Sequence, residues 1–185
     1  QNNSDVTGIS TGFIDLDYRT AGLQPSDLIL IAARPSMGKT AFALNIAENV
    51  AMINHIPTAI FSLEMSKVQL AKRLVAMNSK VDSQRIRIGE LEDDEWAKIT
   101  ESSIILGEST LYIDDTGSIS INDLRSKCRK LKMEKGLGLI IIDYLQLMSG
   151  NSGSKNISRQ QEISDISRSL KSLARELDCP VIALS

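Results

Sequence analysis

The chain has 185 residues, enough for one globular domain with a sizeable core. Hydrophobic residues make up 42% and charged residues 24%, both ordinary for a soluble protein. The formal net charge of -2 argues against a uniformly basic nucleic-acid binder, although a ring or groove needs only local positive charge.

The longest apolar run, Leu137 to Ile142, is too short to span a bilayer, and no basic-then-apolar signal segment opens the chain. Cys128 and Cys179 stand far apart with no Cys-x-x-Cys pattern, so neither a disulfide framework nor a zinc site is expected. A reduced, cytoplasmic protein with no membrane partner is the expectation. Gln1 in place of methionine, and Ile182-Ala183-Leu184-Ser185 reading as an unfinished strand, suggest a fragment of something longer.

In chain order, residues 1–10 are polar, contain Gly8 and show no hydrophobic period; they read as the end of an interdomain linker. Leu28 to Ala33 is a continuous apolar run of the kind that suits a strand covered on both faces. A helix from about Lys39 to Ile53 is apolar nearly all round and is expected to be largely buried. Thr58 to Leu63 reads as a second strand and Ser66 to Asn78 as a second helix. The acidic stretch Glu90 to Glu95 opens a further helix reaching about Leu106, where its carboxylates favour the positive end of the helix dipole. Thr110 to Ile113 is a short strand.

Ile121, Leu124, Cys128 and Leu131 then mark the apolar stripe of a basic helix, whose Arg125, Lys127, Arg129, Lys130, Lys132 and Lys135 read as a solvated outer face. Leu137 to Ile142 is the strongest strand signal. Residues 149–156 form a flexible loop by composition. Ile163, Ile166, Leu170, Leu173 and Leu177 line one face of a long helix, and Pro180 begins a last strand. This alternation predicts an α/β fold: a mostly parallel twisted sheet with helices on both faces, occupying residues 11–185.

Between the first strand and its helix lies Ala33-Arg34-Pro35-Ser36-Met37-Gly38-Lys39-Thr40. The general phosphate-loop pattern is Gly-x-x-x-x-Gly-Lys-Ser/Thr in this strand-to-helix context, so the end is intact and Ala33 replaces the first glycine. Gly38 permits a turn that aims successive amides at phosphate oxygens, and the helix N-terminus adds favourable dipole charge. Lys39 neutralises β- and γ-phosphates and the Thr40 hydroxyl can ligate Mg2+. A second signal is Leu139-Ile140-Ile141-Ile142-Asp143, an apolar strand ending in a carboxylate that can orient Mg2+, usually through water. Weak alone, it is strong in phase with the phosphate loop. A third is Glu64, at a strand end facing the ligand crevice of an open sheet, where it can act as general base toward the attacking water. A role for Glu64 in the helix cap beside Ser66 stays open.

These residues resemble a family. Thr11-Gly12, Leu16-Asp17, Gly22-Leu23, the Ala32-to-Thr40 segment, Phe61-Ser62-Leu63-Glu64-Met65-Ser66, Ile142-Asp143-Tyr144-Leu145-Gln146-Leu147-Met148 and Ser158-Arg159-Gln160-Gln161-Glu162-Ile163-Ser164 are together similar to the RecA-like motor domain of bacterial replicative DNA helicases of the DnaB family. In that family alanine at the place of Ala33 is normal. The resemblance implies a RecA-like P-loop NTPase, truncated on its C-terminal side, from a homo-hexameric ring that hydrolyses ATP with Mg2+. It also implies translocation on single-stranded DNA at the replication fork, with primase and a helicase loader as partners. By the same resemblance Lys39 and Thr40 hold phosphates and Mg2+, Asp143 supports Mg2+, Glu64 activates water, and Arg73 sits near the nucleotide, with a solvated helix arginine as the alternative for Arg73. Lys155 and Arg159 would track DNA at the central channel, or belong to an ordinary surface loop. In the family a sensor glutamine, an arginine finger and the principal DNA loop follow the position of Ser185. Two other readings stay open: a recombinase-type or clock-type RecA relative, differing around Phe61 to Ser66, and a nucleotide-gated module for ring assembly or partner recruitment.

Overall fold

The computed structural model describes residues 7–32, 38–143 and 158–185. Five parallel strands form one sheet: β1 (Leu28–Ile31), β2 (Thr58–Ser62), β3 (Leu111–Asp114), β4 (Leu139–Asp143) and β5 (Val181–Leu184), in the order β1-β5-β4-β2-β3. Seven α-helices are described: α1 (Ile14–Thr20), α2 (Lys39–Ala47), α3 (Lys67–Ser79), α4 (Ser83–Ile88), α5 (Asp93–Glu108), α6 (Ile121–Lys135) and α7 (Arg159–Leu177).

The strand order decides which face each helix covers. Parallel crossovers are right-handed, so a connection running one way along the sheet packs on one face and a connection running back packs on the other. The outward steps β1 to β2 and β2 to β3 put α2, α3 and α5 on one face. There Leu44, Ile46, Leu70 and Leu74 pack with Ile60, Leu139, Ile141 and Ile182. The return steps β3 to β4 and β4 to β5 put α6 and α7 on the other. There Leu124, Cys128, Ile166, Leu170 and Leu173 pack with Phe61, Ile140, Ile142, Val181 and Ala183. Neighbouring residues of β4 thus point into different cores, as the two-residue period of a strand requires. The long sequence run Leu139 to Ile142 is apolar throughout because both faces are covered.

Three expectations change. The first apolar run makes a strand only as far as Ile31, and Leu30 is 54% exposed rather than covered on both sides. The reason is position: among the described residues β1 pairs only with β5, at one side of the sheet. The helix expected to run to Ile53 is α-helical only to Ala47. Residues Glu48–Ile53 widen into a π-helical turn, closed by the Asn54 amide donating to the Asn49 carbonyl, and Ile53 is exposed. Finally, the end of the polar opening segment is fixed to the domain. The Gly8 amide donates to the Ala21 carbonyl, and Ile9 pairs antiparallel with Leu23.

That segment is anchored by Asp17, which is buried. Its Oδ2 accepts from Ser10 Oγ at 2.7 Å, and its Oδ1 accepts from the Thr11 amide at 2.9 Å and Thr11 Oγ1 at 2.8 Å. Burial opposes its ionisation, but the bonds from Ser10, Thr11 and Gly12 outweigh that and hold the carboxyl below its ordinary value. The segment then docks on α2. Asn49 Nδ2 donates to the Ser10 carbonyl at 2.9 Å, and the Phe13 and Phe42 rings stack with centroids 4.8 Å apart.

Candidate nucleotide site

Three carboxyl-terminal strand edges bring the site together. β1 delivers the chain toward α2, whose N-cap is Gly38 with φ 73°, a left-handed conformation that favours glycine. As a glycine, Gly38 has no side chain with which to cap α2. Lys39 and Thr40 occupy that first turn and are half-buried. The Ala33 to Met37 portion of the expected loop lies outside the described residues.

From α2 the Thr40 hydroxyl reaches across to β4 and donates to Asp143 Oδ2 at 3.0 Å. Asp143 is only 3% exposed, and its other oxygen, Oδ1, has no hydrogen-bond partner among the described residues. Burial pushes this carboxyl up from its ordinary value. The Thr40 bond and the charges of Lys39 and Arg73 pull it back, and the Glu64 charge adds to the push. A buried carboxylate beside a hydroxyl and a helix N-terminus capped by glycine is a donor set that could hold magnesium and phosphate. Magnesium keeps several waters and takes only one or two protein carboxylates. No group of three or more His, Cys, Asp or Glu placed to hold a metal is found among the described residues.

β2 lies next to β4, with Ser62 in register with Asp143. The chain leaves β2 through a tight bend at Glu64. The Leu63 amide donates to the Asp143 carbonyl at 2.7 Å, and the Met65 amide donates to Ser62 Oγ at 3.1 Å. Ser66 then caps α3 reciprocally with Gln69: Ser66 Oγ accepts from the Gln69 amide, and Gln69 Oε1 accepts from the Ser66 amide. The Lys67 amide is taken by Asp115 Oδ2 at 2.9 Å. These bonds fill the cap without Glu64, whose side chain is exposed on the side of Asp143. The Ser-x-x-Gln spacing of Ser66 and Gln69 was the sequence signal for that cap.

Arg73 projects from α3 and is exposed, close enough for its charge to act on Asp143. Lys39, Thr40, Glu64, Arg73 and Asp143 are therefore one cluster. Arg159 is not part of it. It opens α7 and pairs with Glu162 at 2.9 Å, while Lys155 lies outside the described residues. On the basic helix α6, Lys127 pairs with Asp114 at 2.6 Å, Arg129 pairs with Glu176, Lys132 donates to the Leu137 carbonyl, and Lys135 lies over the Tyr112 ring. Those cations are engaged within the domain. Cys128 and Cys179 are free and buried, and burial pushes both thiols up to about 12.

No helix among the described residues is long and apolar enough to cross a membrane. The chain is 56% identical over 183 residues to the replicative DNA helicase DnaB of Geobacillus stearothermophilus, covering 99% of this chain and 40% of that protein. It is 55% identical over 181 residues to the replicative DNA helicase DnaC of Bacillus subtilis, again covering 40% of the relative. The chain thus spans about two fifths of the length of these relatives. Among solved structures, a DnaB-like replicative helicase described with its interactions with primase superposes with a TM-score of 0.91 at 39% identity, covering all of this chain and 44% of that one. A solved ATPase domain gives the same score and identity over 65% of its length. The family model for the DnaB-like helicase C-terminal domain matches residues 8–185, and the chain belongs to that family.

Proposed function

We propose that this domain is the ATP-hydrolysing motor of a replicative DNA helicase. The observation that carries the reading is the contact between Thr40 and the buried Asp143, with Glu64 presented on the adjoining strand end. Lys39 and the amides of the first turn of α2 hold the β- and γ-phosphates of ATP, together with the Ala33 to Met37 segment assigned by sequence. Thr40 and Asp143 would hold Mg2+, which would supply positive charge against the phosphate oxygens. Glu64 takes the proton of the water that attacks the γ-phosphorus, and the products are ADP and inorganic phosphate. Arg73 offsets negative charge on the γ side.

Two features favour turnover over a binding switch that only holds a ring together. Glu64 is left out of the helix cap, and the bonds around it fix its backbone. In the intact protein this hydrolysis drives translocation on single-stranded DNA within a homo-hexamer. Primase is a partner, a reading supported by the DnaB-like relative described with primase, and a loader is assigned from the sequence resemblance alone. Arg159, with its Glu162 partner, and Lys155 are assigned to the strand-facing side.

The test is ATPase activity of the intact protein with and without single-stranded DNA. Strong stimulation by DNA, and loss of tight ATP binding in Lys39→Ala, are the expected results. Turnover indifferent to DNA would favour the assembly module instead.

A further inference from the structure

Beyond the cluster around Asp143, a groove of about 520 Å³ opens between α3 and α4. Its walls carry three cations, Lys72 and Arg73 from α3 and Arg87 from α4, together with the polar Gln69 and Ser83 and the apolar Met65 and Ile86. Among the described residues no carboxylate lines it, and none of the three cations has an ion-pair partner. The contrast within α4 is sharp. Arg85 pairs with Glu95 at 2.8 Å and also donates to the Glu90 carbonyl, whereas Arg87, two residues on, faces the groove. Like charges gathered without a counter-ion repel one another, and an anion between them relieves that cost.

Arg73 links the groove to the nucleotide site: it lines the groove, and its charge also acts on Asp143. The donor set suits a small tetrahedral oxyanion: guanidinium forks for paired oxygens, an ammonium, a hydroxyl and an amide. It suits a nucleic-acid strand less well, because no aromatic side chain among the described residues lines the groove as a stacking platform.

We propose that the α3–α4 groove is a second phosphate-binding subsite, which takes up inorganic phosphate after hydrolysis. Its role as a station for the product rests on the ATPase reading above; its ability to bind phosphate does not.

Phosphorus NMR of inorganic phosphate titrated with the intact protein, without nucleotide, tests the subsite directly. Binding should persist in Lys39→Ala, which disables the phosphate loop. It should weaken by roughly tenfold or more in Lys72→Ala/Arg87→Ala, with each single substitution giving part of the loss. Lys72 and Arg87 are exposed, so the melting temperature should not move. In steady-state kinetics, phosphate should inhibit the Lys72→Ala/Arg87→Ala protein less than the wild type, while ATP affinity is the same. Phosphate binding lost in Lys39→Ala but intact in the double variant would overturn the proposal. So would a double variant that loses affinity for an oligonucleotide but not for phosphate. If phosphate binding follows Lys72 and Arg87 but the protein does not hydrolyse ATP, the subsite stands and the hydrolysis reading fails.

Discussion

Replacing Thr40 by valine isolates the contact on which the site is built. The substitution keeps the shape of the side chain and removes one hydroxyl. In its place Asp143, 3% exposed, keeps a charge that neither oxygen can share with a donor side chain among the described residues. A hydrogen bond to a charged group is worth about 1.5–3 kcal/mol. In a domain of this size each kcal/mol moves the melting temperature by about 2–4 °C. Thr40→Val should therefore melt roughly 3–12 °C below the wild type in magnesium-free buffer near neutral pH. Thr40→Ser, which retains the hydroxyl, should stay much closer. The effect depends on Asp143 being ionised, so it should shrink in acid, where the carboxyl no longer needs the donor. Calorimetry of the three proteins across pH decides the matter. A Thr40→Val protein that melts with the wild type at neutral pH would show that the hydroxyl does not stabilise Asp143, and the metal-site argument would lose its footing.

Two further predictions concern the scaffold. Asp17→Asn should cost about 1–3 kcal/mol near neutral pH, because it removes the charge that three donors converge on. The folded protein holds Asp17 below its ordinary value of 3.8, so its contribution is complete above 3.8 and is lost as pH falls through the lower folded-state value. Urea titrations of both proteins should show the gap closing below pH 3.8, and a gap independent of pH would refute the account. Cys128 and Cys179, with thiols pushed up to about 12, should resist thiol reagents in the native protein and react only on unfolding. Rapid native labelling at neutral pH would contradict their burial.

Much of this architecture is legible in the sequence because it is written in local chemistry. Leu139 to Ile142 is apolar without interruption, which only a strand with both faces covered requires, and the carboxylate that ends it falls beside Thr40. The stripe Ile166, Leu170, Leu173 and Leu177 of α7 is buried at helical spacing. What the local pattern does not reach is set by distant partners. The exposure of Leu30 depends on strand order, and no property of Leu28 to Ile31 records that β1 lies at one side of the sheet. Helix α1 owes its place to the Asp17 bonds, the Phe13–Phe42 stack and the tie between Asn49 and Ser10, none of which follows a period. Helix α4 is six residues long, too short for a stripe, yet it had a signal. Asp82 caps it by accepting from the Gln84 amide, and Gly89 ends it with φ 74°. That short helix supplies Arg87, and with it one wall of the cationic groove.

The central claim is that Glu64 turns a nucleotide-binding fold into a hydrolase. In the intact protein, Glu64→Gln keeps the side chain's size and removes its basicity. Measured side by side, ATP affinity should be the same as in the wild type, while hydrolysis should fall by about 10²–10⁴-fold, the range that a positioned general base contributes. Turnover at the wild-type rate in Glu64→Gln would contradict the account and move the base to another residue.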